Sequence, residues 1–422
     1  MAKKPQQPVK RHYSKHQVAK FEAQRKRQRI IFATGLSVIG IVLALVGIGV
    51  YKGWYVDQYK PMHTTVLTVG DTKYNVAYFV DALRHFTGGD SQYAYYFIDA
   101  VSERIQLNQL MVEKASEMGY TISDDEIDAA IEENSLTDVP AVRDIVRASL
   151  LTDKLKTEYF DPQVPQTAEQ REALAMLLES ENAASDVLAG IITDEEFAAK
   201  AAELSLESNT KTDSGSIGFK PADTITSLYG SEILEKYIFS TEGYDYALVQ
   251  DADVSKQRAY WLMEVLERKT DSEQIHTLGM LLPSEQVALE VKARLAAGES
   301  WGDLAVEFSQ LANVEENQGD MDWITFSSVP ENVADIIFAT DVELNTVLDP
   351  IQDDTNYTRG GCWIVRLKSI DENRQLSEDD RKLLISDKLD QWTADLKAAN
   401  LNKLTNTFSD ELITFAITQL DK

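Results

Sequence analysis

The strongest constraint on the fold of this 422-residue chain is an internal repeat. The segment AMLLESE begins at Ala175, and GMLLPSE begins at Gly279, 104 positions later. Without any gap, residues 175–219 match residues 279–323 at 14 of 45 positions. Identity at this level over a fixed offset indicates two copies of one domain, so the chain builds the same small fold twice.

The residue pattern predicts the same order of secondary-structure elements in each copy. A short apolar strand leads to a helix, and an aromatic residue, Phe197 or Trp301, begins a second helix. A glycine turn and a short helix follow, and each copy ends in a strand rich in β-branched and aromatic residues. We assign the closing strand AYWLMEVLE, with Trp261, to the first copy and CWIVRLKSI, with Trp363, to the second.

Charge divides the chain into two unlike parts. Residues 1–60 hold 12 Lys and Arg against 2 Asp and Glu, whereas the remaining residues hold 29 against 67. The corresponding net charges are +10 and −38. A body this acidic repels a phosphate backbone, which excludes nucleic acid as a partner.

A charge-free segment of 21 residues, Ile30–Val50, lies in the basic part. A helix of that length spans the roughly 30 Å hydrocarbon core of a bilayer. The basic run RKRQR precedes it, which predicts a cytoplasmic N-terminus and an extracytoplasmic body. A cleaved signal peptide and a buried core helix are the alternatives. A signal peptide is disfavoured because its apolar run is typically only about 7–15 residues long and is followed by an A-x-A cleavage site. A buried core helix is disfavoured because every face of this segment is apolar.

The sequence offers no cofactor or metal site. Cys362 is the single cysteine, so no internal disulfide is possible, and the five histidines show no ligand spacing: His12, His16, His63, His85 and His276. Common hydrolase and nucleotide-binding motifs are absent as well.

A helical module is predicted between the apolar segment and the repeat. In LNQLMVEKASEMGYTISDDEIDAAIEE, residues 107–133, one helix ends near Gly119, and Ser123 with Glu126 forms a capping box that opens the next. This sequence resembles the N-terminal module of exported chaperones of the SurA and PrsA type, in which such helices hold unfolded client proteins. A generic helical hairpin is the alternative.

The second copy resembles a parvulin-type peptidyl-prolyl isomerase. Its opening, GMLLPSEQVALEVKARLAAGESWGDLAVEFSQ, and the strand Gly360–Arg366 are similar to the first and last parts of that domain. The order of tail, span, helical module and parvulin-like domains is similar to membrane-anchored folding factors. The resemblance implies unfolded or newly exported polypeptides, the membrane and the secretion machinery as partners, and no cofactor.

The positions of the family's polar cluster hold other residues here. The resemblance places the first histidine at Ala175 and Gly279, the second at Trp261 and Trp363, and the acidic or cysteine position at Glu207 and Leu311. His276 lies three residues before Gly279, and an odd shift along a strand turns its side chain to the other face. Isomerase activity is therefore predicted to be weak or absent.

An alternative use of degenerate copies is polypeptide binding. The tryptophans Trp261, Trp323 and Trp363 are candidate substrate-binding residues, and a place in the core is the other interpretation. Two further functions stay open: a working prolyl isomerase, and an envelope assembly factor with one fixed membrane partner.

The sequence thus predicts a mixed α+β chain of six segments. These are a basic cytoplasmic tail at 1–29, a transmembrane helix at 30–50, a SurA/PrsA-like module at 62–162, tandem parvulin-like domains at 168–268 and 273–372, and a C-terminal helix at 376–422 that packs on the module. The stretch ERKTDSEQ, 267–274, is predicted to link the two copies.

Overall fold

The fold begins, in the part that can be described, with one long apolar helix. A computed structural model describes Lys26, Thr34, residues 36–269 and residues 273–421. Helix α1, Leu36–Met62, is 27 residues long, which with its composition is enough to cross a membrane. The rest of the predicted tail, and residues 30–33 and 35 of the predicted span, lie outside the described residues.

The chain divides into two compact units, Lys156–Asp390 and the segments on either side of it. The flanking unit contains β1 Thr65–Val69, β2 Thr72–Asn75, α2 Val76–Thr87, α3 Ile98–Glu117, α4 Asp124–Glu133 and α5 Pro140–Lys154. The predicted capping box is confirmed at the start of α4. The backbone N–H of Ser123 donates to Glu126 Oε2 at 2.8 Å, and the N–H of Glu126 donates to Ser123 Oγ at 3.4 Å.

The central unit, Lys156–Asp390, holds both copies of the repeat. The first copy gives β3 Thr167–Leu178, α6 Glu181–Leu188, α7 Asp194–Leu204, α8 Ser208–Thr212, β4 Ser216–Pro221, α9 Ile225–Tyr229, α10 Glu232–Ser240 and β5 Ala247–Lys256. Next come β6 Ala259–Lys269, β7 Gln274–Leu282, α11 Glu285–Ala296, α12 Trp301–Phe308, α13 Val314–Asn317, β8 Asp320–Ile324, α14 Glu331–Ile337, β9 Ile351–Asp353 and β10 Thr358–Gln375. Helix α15, Glu378–Ala399, follows, and β11 Leu404–Asn406 and α16 Asp410–Thr418 end the described chain.

The closing strands are exchanged between the two copies, which corrects the predicted domain boundaries. One sheet has the order β4-β3-β10-β5 and the other β8-β7-β6-β9. Trp363 on β10 therefore pairs with Leu177 of the first copy, and Trp261 on β6 pairs with Leu281 of the second. We call β3–β5 with β10 the outer domain and β6–β9 the inner domain. Residues 267–269 and Gln274 of the predicted linker lie instead in the paired strands β6 and β7 of the inner domain, and residues 270–272 lie outside the described residues.

Turn chemistry accounts for the exchange. Only Gln257 and Arg258 separate β5 from β6, and two-residue hairpin loops need positive φ angles that Gly or Asn supply. Neither residue has a positive φ. The chain therefore runs on instead of reversing, with Lys256 opposite Thr358 in one sheet and Ala259 opposite Asp353 in the other.

Each four-stranded sheet packs helices on both faces. In the outer domain Ala175, Trp363 and Val365 share a core with residues of α9 and α10. Their neighbours along the strands, Met176 and Ile364, pack on the opposite face against α6 and α7. Because strand side chains alternate, positions two apart along β3 or β10 lie on the same face.

The C-terminal segment from Gln391 onward lies in the flanking unit. Strand β11 pairs antiparallel with β1, and the ring of Phe408 lies 4.6 Å from that of Phe79. The first part of α15, up to Asp390, lies in the central unit instead. There the buried carboxylate of Asp380 accepts hydrogen bonds from Lys220 Nζ at 2.8 Å and Ser377 Oγ at 2.6 Å. The prediction that all of 376–422 packs on the helical module is wrong for this part.

Candidate functional site

The first predicted site position of the outer domain lies in a closed core. Ala175 is fully buried on β3 opposite Val365, and Trp363 lies two residues away on β10. The indole Nε1 of Trp363 donates to Asp251 Oδ2 at 3.2 Å. Asp251 also accepts from the Ser231 hydroxyl and from two backbone N–H groups. A buried carboxylate with this many donors is satisfied without any imidazole.

The inner domain repeats the arrangement with its own residues. Trp261 Nε1 donates to Asp353 Oδ2 at 2.9 Å. Burial on its own would raise the pKa of Asp353, but hydrogen bonds from Asn356, Thr355 and Trp261 hold that pKa below its ordinary value. Asp353 is therefore an ionised acceptor that orients the tryptophan.

A side chain at Gly279 would have to displace the ends of two methionine side chains. A Cβ built there would collide with the Sδ atom of Met321 and lie 3.1 Å from the Sδ atom of Met263. Two methionine sulfurs thus occupy the space beside the position where the family resemblance places a histidine. The inner site is filled with apolar atoms.

The third predicted position does not supply a free carboxylate in either domain. Glu207 caps helix α8, because its side chain accepts the backbone N–H of Asn209 at 2.8 Å and that of Thr210 at 2.6 Å. Leu311 packs against the inner-domain core. Next to these positions, the hydroxyls of Ser205 and Ser309 accept the backbone N–H of Leu177 and Leu281.

Two of the three tryptophans predicted to bind polypeptide are buried. Trp363 is fully buried and Trp261 is 4% exposed, so both belong to cores, as the alternative interpretation held. Trp323 is half-buried, with Lys269 Nζ 3.6 Å from its ring centre and the His276 ring 5.6 Å away. His276 Nε2 donates to Asp320 Oδ1 at 2.8 Å, because an ionised carboxylate can only accept.

Sequence reasoning missed the two aspartates that hold the tryptophans. Asp251 and Asp353 are 102 positions apart, as are Trp261 and Trp363, and each aspartate follows a glutamine. The signal is hidden in the sequence, because the offset of 104 holds only in the first half of the repeat and becomes 102 in the second. Two residues fewer between the later elements change the offset.

A groove of 730 Å³ lies beside α9 of the outer domain. Leu228, Leu383 and Ile385 are its apolar lining residues, and its charged lining residues are Lys156, Asp161, Asp379 and Lys382. This size suits a few side chains of an extended peptide. Among the described residues, no cluster of three or more His, Cys, Asp or Glu side chains could hold a metal ion.

Comparison with known proteins now adds to this geometry. Residues 281–369 match the family model described as Rotamase, PPIC-type PPIASE domain. Foldase protein PrsA of Oceanobacillus iheyensis is 25% identical over 146 residues, which are 35% of this chain and 45% of that protein. The PrsA of Clostridium tetani is 28% identical over 137 residues, 29% of this chain and 38% of that protein.

The chain is thus similar to PrsA foldases, and residues 281–369 are similar to a PPIC-type PPIase domain. It spans less than half the length of these curated PrsA relatives. A crystal structure of PrsA from Streptococcus pneumoniae matches 80% of this chain and 93% of that chain at 14% identity, with a TM-score of 0.23. So low a TM-score carries no argument about the fold.

The range matched by the family model does not coincide with either of the two structural domains. The matched residues begin in β7 of the inner domain and end in β10 of the outer domain. The family pattern is therefore continuous along the sequence, whereas the sheets divide it between two domains.

Proposed function

We propose that this chain is a membrane-anchored extracytoplasmic chaperone that binds unfolded exported proteins. Its relatives are described as foldases, α1 is long and apolar enough to cross a membrane, and a basic segment precedes an acidic body. Basic residues stay on the cytoplasmic side, so the helical module and both parvulin-like domains lie outside. There they meet polypeptides that have just crossed the membrane, and the secretion machinery is a partner.

The parvulin-like domains serve mainly for binding. The observation that carries this proposal is the Trp–Asp pair in both domains, Trp363 with Asp251 and Trp261 with Asp353. Rotation about an X-Pro bond meets a barrier of about 18–20 kcal/mol. A catalyst lowers it by binding the twisted amide better than the planar one. A buried tryptophan takes the place of the second histidine in both domains, and two methionine sulfurs fill the space beside Gly279 in the inner one.

The experiment pairs two assays on the full chain in detergent. The rate of cis-to-trans isomerisation of a short X-Pro peptide is expected to stay within a few-fold of the spontaneous rate. The spontaneous reaction has a time constant on the order of tens to hundreds of seconds. The same preparation is expected to slow the aggregation of a denatured test protein. If aggregation proceeded unchanged at equimolar protein, the chaperone proposal would fail.

A working isomerase is the second candidate, because the matched family model describes such a domain. A several-hundred-fold acceleration of isomerisation would establish it. Loss of that acceleration in Glu207→Ala would then assign it to the outer domain, where the resemblance places the family's acidic position at Glu207.

A further inference from the structure

The flanking unit carries an exposed aromatic turn, residues 86–97, with the sequence FTGGDSQYAYYF. The side chains of Tyr93, Tyr95 and Tyr96 are 56%, 66% and 79% exposed, and Phe86 and Phe97 are exposed as well. Asp90 is the single charged residue in these 12 positions of a strongly acidic body. Clustered exposed rings of this kind mark an interaction surface.

The turn is built to hold its rings outward. Gly88 and Gly89 take left-handed φ angles of 64° and 86° as the chain leaves α2. Asp90 Oδ1 then accepts the backbone N–H of Gln92 at 2.8 Å. Ala94 is fully buried in the core of the unit and fixes the backbone from inside. The neighbouring tyrosines therefore have no inward position to occupy.

The aromatic turn lies close to the point where the anchor enters the unit. Helix α16 packs against both the last turn of α1, Lys60–Met62, and the segment Ala94–Phe97. Helix α1 ends at Met62 and β1 begins at Thr65, so no flexible linker separates anchor and module. The 12 residues that follow Val50 give about 18 Å of helix, more than the roughly 5–7 Å of the headgroup layer, so contact between the turn and the bilayer requires α1 to tilt.

We propose that the aromatic turn inserts into the interfacial layer of the same membrane that α1 spans. This proposal rests on α1 being a membrane anchor. Tyrosine favours the headgroup region, where its ring is apolar and its hydroxyl is hydrated. The anchor carries its own exposed rings up to the module, with Tyr55 stacked between Tyr51 at 5.2 Å and Tyr59 at 5.7 Å. The aromatic turn adds further exposed tyrosines on the module.

The distribution of charge also favours the membrane as the partner of the aromatic turn. The body is strongly acidic and removing carboxylates from water is costly, so the module approaches the bilayer best through a nearly uncharged face. Because the anchor already holds the module at the surface, even a weak second contact is populated at high effective concentration. The contact would limit rotation of the module about α1.

The test uses the full chain in phosphatidylcholine vesicles that carry a quencher in the lipid. A dye is attached to Tyr96→Cys, to Tyr51→Cys as the membrane reference, and to the exposed Glu132→Cys on α4 as the solvent reference. Native Cys362 is buried, and burial raises the pKa of its thiol to about 11, so the dye reacts with the introduced cysteine.

The dye at position 96 is expected to be quenched several-fold more than the dye at position 132, and Tyr93→Ser with Tyr95→Ser is expected to reduce that quenching. Equal quenching at positions 96 and 132, while position 51 is quenched, would overturn the proposal. A dye at position 96 that responds to added unfolded polypeptide but not to the lipid quencher would also overturn it and make the aromatic turn a client surface. Loss of quenching at position 51 would contradict the anchor itself, on which the proposal depends.

Discussion

Lys256 is an unusual residue because its ammonium group has almost no contact with water. It is 1% exposed at the crossing of the closing strands, where Nζ donates to Thr358 Oγ1 at 3.3 Å and to the carbonyl of Gly360. Burial lowers its pKa from 10.5 to about 8. Between these two pH values the unfolded chain binds more protons than the folded chain, so the free energy of unfolding rises with pH.

Lys256→Met should remove this pH-dependent rise, which is at most about 3 kcal/mol for a pKa shift of this size. Urea unfolding at pH 7 and pH 10 measures it, with Lys382→Met on the exposed surface of α15 as the matched control. Tyrosines that titrate at high pH are common to all three proteins and cancel in the comparison. An unchanged rise in Lys256→Met would show that the amine is not the source.

Gly279 tests whether the inner site is filled. Adding one methyl group forces the Met321 and Met263 sulfurs to move, so Gly279→Ala should lower the free energy of unfolding by about 1–3 kcal/mol. Gly190→Ala is the control, because its Cβ would meet only Val187 O, at 3.6 Å, and should change stability by less than about 1 kcal/mol. Equal effects from the two substitutions would mean that the site has free space.

At the scale of elements, the exchange of closing strands can be tested by placing a cysteine at Glu172 and a second one on either closing strand, at Ser369 or at Glu267. Glu172 lies opposite Ser369 in the outer sheet, and His276 lies opposite Glu267 in the inner sheet. In a tandem arrangement Glu267 would instead lie opposite Glu172. The two arrangements share the same local sequence, so only a cross-strand distance separates them.

Glu172→Cys with Ser369→Cys should form a disulfide on mild oxidation, because directly opposite strand residues lie within bonding reach. Glu172→Cys with Glu267→Cys is the matched control and should stay reduced. Non-reducing gels and mass spectrometry of the linked peptides give the readout. The reverse result would show that the domains close in tandem.

At the scale of the whole molecule, the central unit is an insertion in the flanking unit. The flanking unit keeps its own sheet of β11, β1 and β2 and its own core, which includes Phe79, Leu83 and Ala416. Removing Lys156–Asp390 and joining Leu155 to Gln391 by a flexible Gly/Ser linker should therefore leave a cooperatively folded module.

That deleted chain should still slow aggregation of a denatured test protein if the helical module is the client cradle. Its circular dichroism melt checks folding, and light scattering checks protection against the full chain at equal molarity. A folded module without any protection would move the client site to the central unit, with the groove beside α9 as its first candidate.

Local patterns in the sequence determined the elements of this protein. The capping box at Ser123 needs only four residues, and the repeat at 175–219 and 279–323 dictates the same strands and helices twice. The apolar segment after the basic tail likewise specifies a long helix by composition alone. The six site positions came from the family resemblance, and four of them, Ala175, Gly279, Trp261 and Trp363, lie on strands.

Tertiary structure decided which strand completes which sheet. Both closing strands carry a tryptophan at the same place in the same alternating pattern, so either satisfies either sheet, and pairing energies depend on contacts far apart in the chain. Burial of Trp261 and Trp363 was likewise settled by helices and aspartates that meet them only in the folded protein. Periodicity shows which face a side chain takes, but only packing from the rest of the chain determines whether that face is covered.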